Sequence, residues 1–287
     1  MTYTIFPEYP DTAVLTQTIK NDVIKSLEED IGNGDLTANL LSPDGIARAQ
    51  VITRQSGVLC GAAWFDECFL TLDPECNISW HAKDGERIKP GQRLCEISGK
   101  ARALLTAERN ALNFLQTLSG TATVTRRYVD MVQGFDVKIM DTRKTLPGLR
   151  DAQKYAVRMG GGYNQRMGLF DGILIKENHI AAAGGIAAVL EAAFRLAPEA
   201  SVQIEVEDLM QLDEALNAGA KLILLDNFDP DALRAAVVKT AKRAELEASG
   251  GITLASLREI AKTGVDRISI GALTKDVEAL DLSMRLV

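Results

Sequence analysis

Between Lys138 and Lys176 the chain carries eight Lys/Arg, at 138, 143, 144, 150, 154, 158, 166 and 176, against three acids at 141, 151 and 171. This excess of positive charge sits in a chain whose formal charge is −7. A concentrated cationic patch in an acidic protein suits an anionic small ligand, because a nucleic-acid binder usually spreads its excess more widely. Lys154 and Arg158, four apart, also fit a solvated helix face. Arg143, Lys144 and Lys176 do not, since each sits at the end of a short apolar run, VKIM (137–140) or GILIK (172–176), that reads as a buried strand.

The runs SVQIEVE (201–207), KLILLD (221–226), AELEAS (244–249) and DRISIG (266–271) likewise end in polar or small residues: Glu205 with Glu207, Asp226, Ser249 and Gly271. Residues two apart in a strand share a face, so Glu205 and Glu207 point one way, Leu174 points with Lys176, and Leu222 and Leu224 point with Asp226. Glu205, Glu207 and Asp226 can hold a hard divalent cation, directly or through water, or grip ribose hydroxyls. Arg143, Lys144, Arg166 and Lys176 supply counter-charge for carboxylates or phosphates, the arginines in bidentate fashion. SGGI (249–252) and IGALT (270–274) are small-residue turns whose backbone N–H groups bind phosphate when a helix follows. The set suits a phosphorylated sugar plus a second anionic molecule. No Ser/His/Asp or Cys/His pairing is evident, which points to chemistry that needs no activated protein nucleophile.

Strands alternating with helical patterns must position these groups. The helical patterns are GIAAVLEAAFRLA (185–197), DLMQLDEALNAGA (208–220), DPDALRAAVVKTA (229–241) and TLASLREIAKTG (253–264). Such alternation argues a parallel sheet closed or nearly closed into a barrel, with the site at the C-terminal strand ends. Upstream, residues 16–31 place Ile19, Val23, Ile24, Leu27 and Ile31 on one helical stripe, and 62–72 reads as an amphipathic helix between strands at 47–54 and 76–82. Residues 84–105 hold short apolar pairs separated by turn signals, as in biotinyl and lipoyl carrier domains, but no lysine occupies a tight hairpin, so a structural domain is expected. Thr106 can cap the next helix, with Glu108 in its first turn and a break at Gly120. Arg109 is a cation near that helix start, where the dipole disfavours it. It needs an anion from another surface to have a functional role.

The composition, 46% hydrophobic and 25% charged over 287 residues, predicts a sizeable core rather than disorder. Aromatic content of 5% leaves no stacking platform for single-stranded nucleic acid. Four cysteines without a CxxC pair and only two histidines argue against zinc and for a reducing compartment. No leader is visible in 1–15 and no apolar stretch approaches membrane length, so a cytoplasmic protein without membrane or nucleic-acid partners is expected.

The runs DTRKTLPGLR, GGGYNQRMGLFDGILIKENH, EVE, LLDN, EASGGI and ERNALNFL together resemble the quinolinate phosphoribosyltransferase family over nearly the whole chain. The resemblance implies an α/β fold: an N-terminal α/β sandwich domain (1–118), an open seven-stranded α/β (TIM-like) barrel (119–274), and a C-terminal segment (275–287) packing back on the first. It implies transfer of phosphoribose from phosphoribosyl pyrophosphate to quinolinate with loss of CO₂, Mg²⁺ as cofactor, and a head-to-tail homodimer in which Arg109 reaches the partner's site. It assigns Arg109, Arg143, Lys144, Gln165 and Arg166 to the quinolinate carboxylates, and Lys144 and Lys176 also to phosphate charge. Glu205 and Asp226 fall to ribose and metal, and Ser249, Gly250, Gly251 and Gly271 to the 5′-phosphate. Thr142, Ile270 and Ala272 complete the substrate-binding set. Lys144, Lys176, Glu205 and Asp226 are the expected catalytic residues, and His179 is expected to support its loop. One position departs from the pattern: the family commonly has His-Arg where this chain has Gln165-Arg166, and an amide donates a hydrogen bond but neither charge nor proton near neutral pH. Rival readings are a molybdate-transport-associated paralogue of the same fold, a Schiff-base lyase using Lys176, and an anion-sensing regulator, which would gain nothing from the carboxylates.

Overall fold

The computed structural model describes residues 12–287; residues 1–11, the start of the segment read as carrying no leader, lie outside the described residues. In chain order the elements begin with α1 (Thr12–Ile31), β1 (Ile46–Thr53), β2 (Gly57–Val58), α2 (Ala62–Leu72), β3 (Asn77–Trp80), β4 (Arg87–Ile88), β5 (Arg93–Lys100) and α3 (Ala101–Met131). They continue with β6 (Lys138–Met140), α4 (Arg150–Met159), β7 (Gly172–Ile175), α5 (Glu177–Ala183), α6 (Ile186–Leu196), β8 (Ser201–Val206) and α7 (Leu209–Asn217). The chain ends with β9 (Leu222–Asp226), α8 (Pro230–Thr240), β10 (Glu245–Ser249), α9 (Leu254–Ala261), β11 (Arg267–Ser269), α10 (Ala272–Lys275) and β12 (Leu282–Leu286).

These elements form two compact units. One takes residues 12–126, 145–161 and 276–287; the other takes 127–144 and 162–275. The first unit is built on an antiparallel sheet of order β12-β1-β5-β3, so the C-terminal strand pairs with β1. Its core gathers Val23 and Leu27 of α1, Trp64, Phe65 and Phe69 of α2, and Leu112, Leu115 and Leu118 of α3. All four cysteines are buried, and burial pushes the Cys68 thiol up to about 12, which leaves no reactive thiolate.

Three expectations for this unit change. First, α3 does not begin at Thr106. It starts at Ala101, directly after β5, and the Thr106 hydroxyl donates to the Asp35 carboxylate at 2.8 Å. Second, α3 runs unbroken for 31 residues through Gly120. A Cβ at Gly120 would collide with the Glu278 carbonyl oxygen, so this glycine serves a close chain approach and not a break. Third, Lys154 is fully buried and not solvated. It lies on α4, whose Ala152 and Ala156 enter the core and whose Tyr155 ring meets Trp64 at 5.4 Å.

The second unit carries six parallel strands in the order β6-β11-β10-β9-β8-β7, with its own helices between successive strands from β7 onward. The seventh strand that the resemblance implies is not among the strands of the described residues; beside the six lies an isolated parallel bridge between Met140 and Tyr163. Tyr163 N–H donates to the Ile139 carbonyl at 2.8 Å, but two residues on, Gln165 N–H donates to the Asp141 carboxylate instead of continuing a ladder. The side chain of Gln165 also reaches Glu247 of β10. Tyr163 is three strands from β10, about 14 Å on a flat sheet at ~4.8 Å per strand. That reach requires the sheet to curl towards a barrel. Among the described residues, no single helix is long and apolar enough to cross a membrane.

Candidate active site

Every candidate except Arg109 belongs to the parallel-sheet unit, and all of these but Gln165 and Arg166, which precede β7, lie at or just beyond a C-terminal strand end. Arg109 is exposed on α3 of the other unit.

After β6 the backbone turns sharply, and Lys144 N–H donates to the Thr142 hydroxyl at 3.1 Å. The Lys144 carbonyl accepts from the Thr274 hydroxyl at 2.8 Å, which ties this turn to α10. Lys144 Cδ lies 3.0 Å from where a Cβ on Gly271 would sit, and Thr142 Oγ1 lies 3.8 Å from it. Glycine at 271 therefore leaves the room in which Lys144 crosses the Ile270–Ala272 turn. Arg143 and Arg166 are brought together as well: burial first, then the charge of Arg143, lowers the Arg166 pKa from its ordinary guanidinium value, with Asp171 opposing. Arg166 donates to the Gly172 carbonyl at 2.8 Å, which aims its guanidinium from the start of β7. Two guanidinium groups that feel each other's charge suit an anion with two acceptor groups.

Across the sheet the carboxylates are already engaged. Lys176 Nζ donates to Glu205 Oε2 at 2.9 Å, with the Glu205 side chain 12% exposed. His179 Nδ1 accepts from Lys176 N–H at 3.0 Å and so caps α5 behind the lysine. Asp226 Oδ2 accepts from Asn227 Nδ2 at 2.8 Å. Asn227 itself has φ +57°, and its N–H donates to the Ser249 carbonyl at 2.9 Å, fastening the end of β9 to the end of β10. A Cβ at Gly250 would strike the Asn227 side chain, and Gly250 and Gly251 have φ +106° and +57°. The turn thus presents backbone N–H groups just ahead of α9, as phosphate binding requires.

Glu207 does not join this set. β8 ends at Val206, so strand alternation stops there, and Glu207 is exposed, lining a separate cavity of about 480 Å³ with Asp208, Met210, Asn227 and Phe228.

Two residues escaped the sequence reading. Asn227 sits next to Asp226 and looks like an ordinary loop residue. Glu247 is wholly buried on β10, where Gln203 Nε2 donates to its Oε2 at 3.0 Å and Gln165 Nε2 to its Oε1. Burial raises the Glu247 pKa from its ordinary value, against opposing bonds and the charge of Arg267. The signal was present: Glu247 lies two residues before Ser249 and therefore on the same face.

A curled parallel sheet with cations, carboxylates and a glycine turn at its C-terminal strand ends defines an α/β protein that handles phosphorylated, anionic ligands. Residues 35–119 match the model of the quinolinate phosphoribosyl transferase N-terminal domain, and 121–285 that of its C-terminal domain. The nicotinate-nucleotide pyrophosphorylase (carboxylating) of Mycobacterium leprae is 43% identical over 277 residues, covering 93% of this chain and 96% of that protein. A quinolinate phosphoribosyltransferase (decarboxylating) of Nicotiana tabacum is 36% identical over 292 residues, covering 94% and 83%. The solved nicotinate-nucleotide pyrophosphorylase of Francisella tularensis is 45% identical, with a TM-score of 0.92 over 95% of this chain and 97% of that one. The chain belongs to the quinolinate phosphoribosyl transferase family.

Proposed function

We propose that this protein transfers phosphoribose from phosphoribosyl pyrophosphate to quinolinate with decarboxylation, giving nicotinate mononucleotide, pyrophosphate and CO₂ in the de novo synthesis of NAD. The observation that carries this reading is the cationic group at these strand ends, with Arg166 held by its bond to the Gly172 carbonyl at 2.8 Å and Lys144, next to Arg143 in the chain, packed across Gly271. A pyridine dicarboxylate supplies two anionic groups that suit these cations.

In this reading the ring nitrogen attacks the anomeric carbon as the bond to pyrophosphate breaks, so no protein base has to activate the nucleophile. Arg143, Arg166 and Gln165 fix the ring in line, which turns a bimolecular encounter into a positioned one. Lys144 and Lys176 stabilise charge on the departing pyrophosphate. Glu205 and Asp226 hold the ribose hydroxyls, and Ser249 to Gly251 with Ile270, Gly271 and Ala272 receive the 5′-phosphate. Once quaternary, the cationic ring nitrogen stabilises the electron pair left on the adjacent carbon as its carboxylate departs as CO₂, and that carbon then takes a proton from water.

Among the described residues no three His, Cys, Asp or Glu gather into a metal cage. Mg²⁺ characteristically uses one or two carboxylates plus substrate phosphate oxygens and water, so Glu205 and Asp226 fit it. It would neutralise pyrophosphate charge when bound. The exposed side chain of Arg109 on α3 supports a homodimer in which it crosses to the partner's site, and the exposed Leu169 and Phe170 offer apolar surface for a second copy to cover. A cytoplasmic location belongs to the same proposal. The Schiff-base reading is disfavoured because Lys176 is an ion-paired ammonium with a half-exposed side chain, whereas a Schiff base needs a neutral amine.

The test is a turnover assay with phosphoribosyl pyrophosphate and Mg²⁺, following CO₂ and nicotinate mononucleotide, with quinolinate and nicotinate in parallel. Product from quinolinate alone is expected. A folded protein that yields none would return the choice to the transport-associated paralogue.

A further inference from the structure

Asp226 and the Ser249–Gly251 turn fall to opposite ends of one phosphoribosyl group, its ring hydroxyls and its 5′-phosphate, and Asn227 touches both. Asp226 and Ser249 are register partners at the ends of β9 and β10. Asn227 Nδ2 donates to Asp226 Oδ2 at 2.8 Å, and the Asn227 backbone N–H donates to the Ser249 carbonyl at 2.9 Å. The same side chain occupies the space that a Cβ on Gly250 would need.

The backbone carries a second mark. Among the described residues, the non-glycine residues with positive φ are Asn227, Ala241 and Lys242. Ala241 caps the end of α8 and Lys242 follows it, a common place for left-handed backbone. Asn227 follows a strand, so no helix end accounts for its φ of +57°. That conformation is disfavoured for an L residue, least so for asparagine, and such strain gathers at functional sites. Asn227 is also exposed, so burial does not demand its side-chain bond, and water could serve its amide as well. A turn that had only to end β9 would be met by glycine at this φ without strain.

We infer that Asn227 is a positioning residue for the phosphoribosyl donor. Its amide fixes the Asp226 carboxylate, and its left-handed backbone sets the turn that receives the 5′-phosphate, so both ends of the donor are held in one frame. A sugar gripped at both ends presents its anomeric carbon in one place to the attacking nitrogen, whereas one gripped at a single end pivots. The inference rests on the proposed reaction, which supplies the donor. Asn227 touches no reacting atom; it acts through Asp226 and the turn.

Asn227→Gly separates the two contributions, since glycine keeps the left-handed backbone and the N–H to Ser249 but has no amide. The expected result is a rise of about tenfold in the KM for phosphoribosyl pyrophosphate, the scale of one hydrogen bond to a charged group. The KM for quinolinate should stay within about a factor of three. Calorimetric titration with ribose 5-phosphate, which needs no turnover, should show the same loss of about tenfold in affinity. In an Asp226→Ala background, with no carboxylate to orient, Asn227→Gly should change that affinity by less than about twofold. An equal loss in both backgrounds, a rise in both substrates' KM, or no change at all would overturn the assignment and leave Asn227 as the end of a strand only.

Should Asn227→Gly fail to fold, Asn227→Asp decides the matter. It tolerates the same backbone and keeps the size, but it sets a second acceptor against Asp226 in place of a donor. Ribose 5-phosphate should bind it at least about tenfold more weakly than wild type, and equal binding would overturn the inference. If wild type binds ribose 5-phosphate but makes no product from quinolinate, the proposed reaction fails, and these titrations still decide the role of Asn227. If wild type does not bind ribose 5-phosphate, the inference falls.

Discussion

The two sides of the strand-end site differ in how complete they are. On the β6 side, burial and then the charge of Arg143 lower the Arg166 pKa, and Lys144 lies exposed across Gly271. On the β8–β9 side, each carboxylate has a partner: Lys176 for Glu205 and Asn227 for Asp226. The cationic side thus gathers like charges with no carboxylate bonded to them among the described residues, whereas each carboxylate of the other side has a partner. Uncompensated cations suit binding of an anion more than folding, and that contrast can be broken experimentally.

The largest effect is expected on the cationic side. Arg143→Ala or Arg166→Ala should lower kcat/KM for quinolinate by roughly 10²–10³-fold, about two charge-assisted hydrogen bonds. Urea unfolding should show a loss of stability no larger than ~1 kcal/mol, because both side chains are partly exposed and Arg166 gives up one hydrogen bond, to the Gly172 carbonyl. A large stability loss would mean that the arginines are structural.

On the other side, Glu205→Gln should cost both properties. It removes a hydroxyl-binding carboxylate and leaves Lys176 without its charged partner, so kcat should fall about 10²-fold while the KM for quinolinate moves little. A change confined to quinolinate KM would contradict the division between the two sides. Gly250→Ala should raise the KM for phosphoribosyl pyrophosphate about tenfold, since the new Cβ strikes Asn227 at a φ of +106° and distorts the turn. An unchanged value would show that the phosphate does not use this turn.

The smallest effect is a pH slope in stability. Burial raises the Glu247 pKa in the folded state above its ordinary 4.5, so the folded state holds the proton to higher pH than the unfolded chain does. Stability contributed by that proton is present below the ordinary value and is lost as pH rises through the raised one. Glu247→Gln should flatten that part of the wild-type stability curve measured by urea unfolding. An identical slope in both proteins would show that Glu247 ionises without hindrance.

How far the sequence revealed this site depended on whether each feature was local. Arg143, Lys144, Lys176, Glu205 and Asp226 were legible because apolar runs with a period of two ended in them. The cap that His179 gives Lys176 was legible as part of one short loop. Glu247 sits in an equally plain strand, but its meaning comes from Gln165 and Gln203, 82 and 44 residues away, which only the curl of the sheet brings to it. Gly120 was misread for the same reason, since the chain that passes it at Glu278 is remote in sequence. Beyond the Met140–Tyr163 bridge the Gln165 N–H bonds the Asp141 side chain, a choice that periodicity does not report. In the first unit, the two-apart alternation of β1 held, but α3 begins at Ala101, and the Thr106 hydroxyl read as its cap bonds Asp35, 71 residues away.

The most direct test of the central claim is calorimetric titration of the folded protein with quinolinate and, separately, with nicotinate. If Arg143 and Arg166 form a site for a dianion, quinolinate should bind at least ~100-fold more tightly, about 2.7 kcal/mol for the second carboxylate. Equal affinity for the two would contradict the account, because a site that cannot count carboxylates is not the one these arginines build.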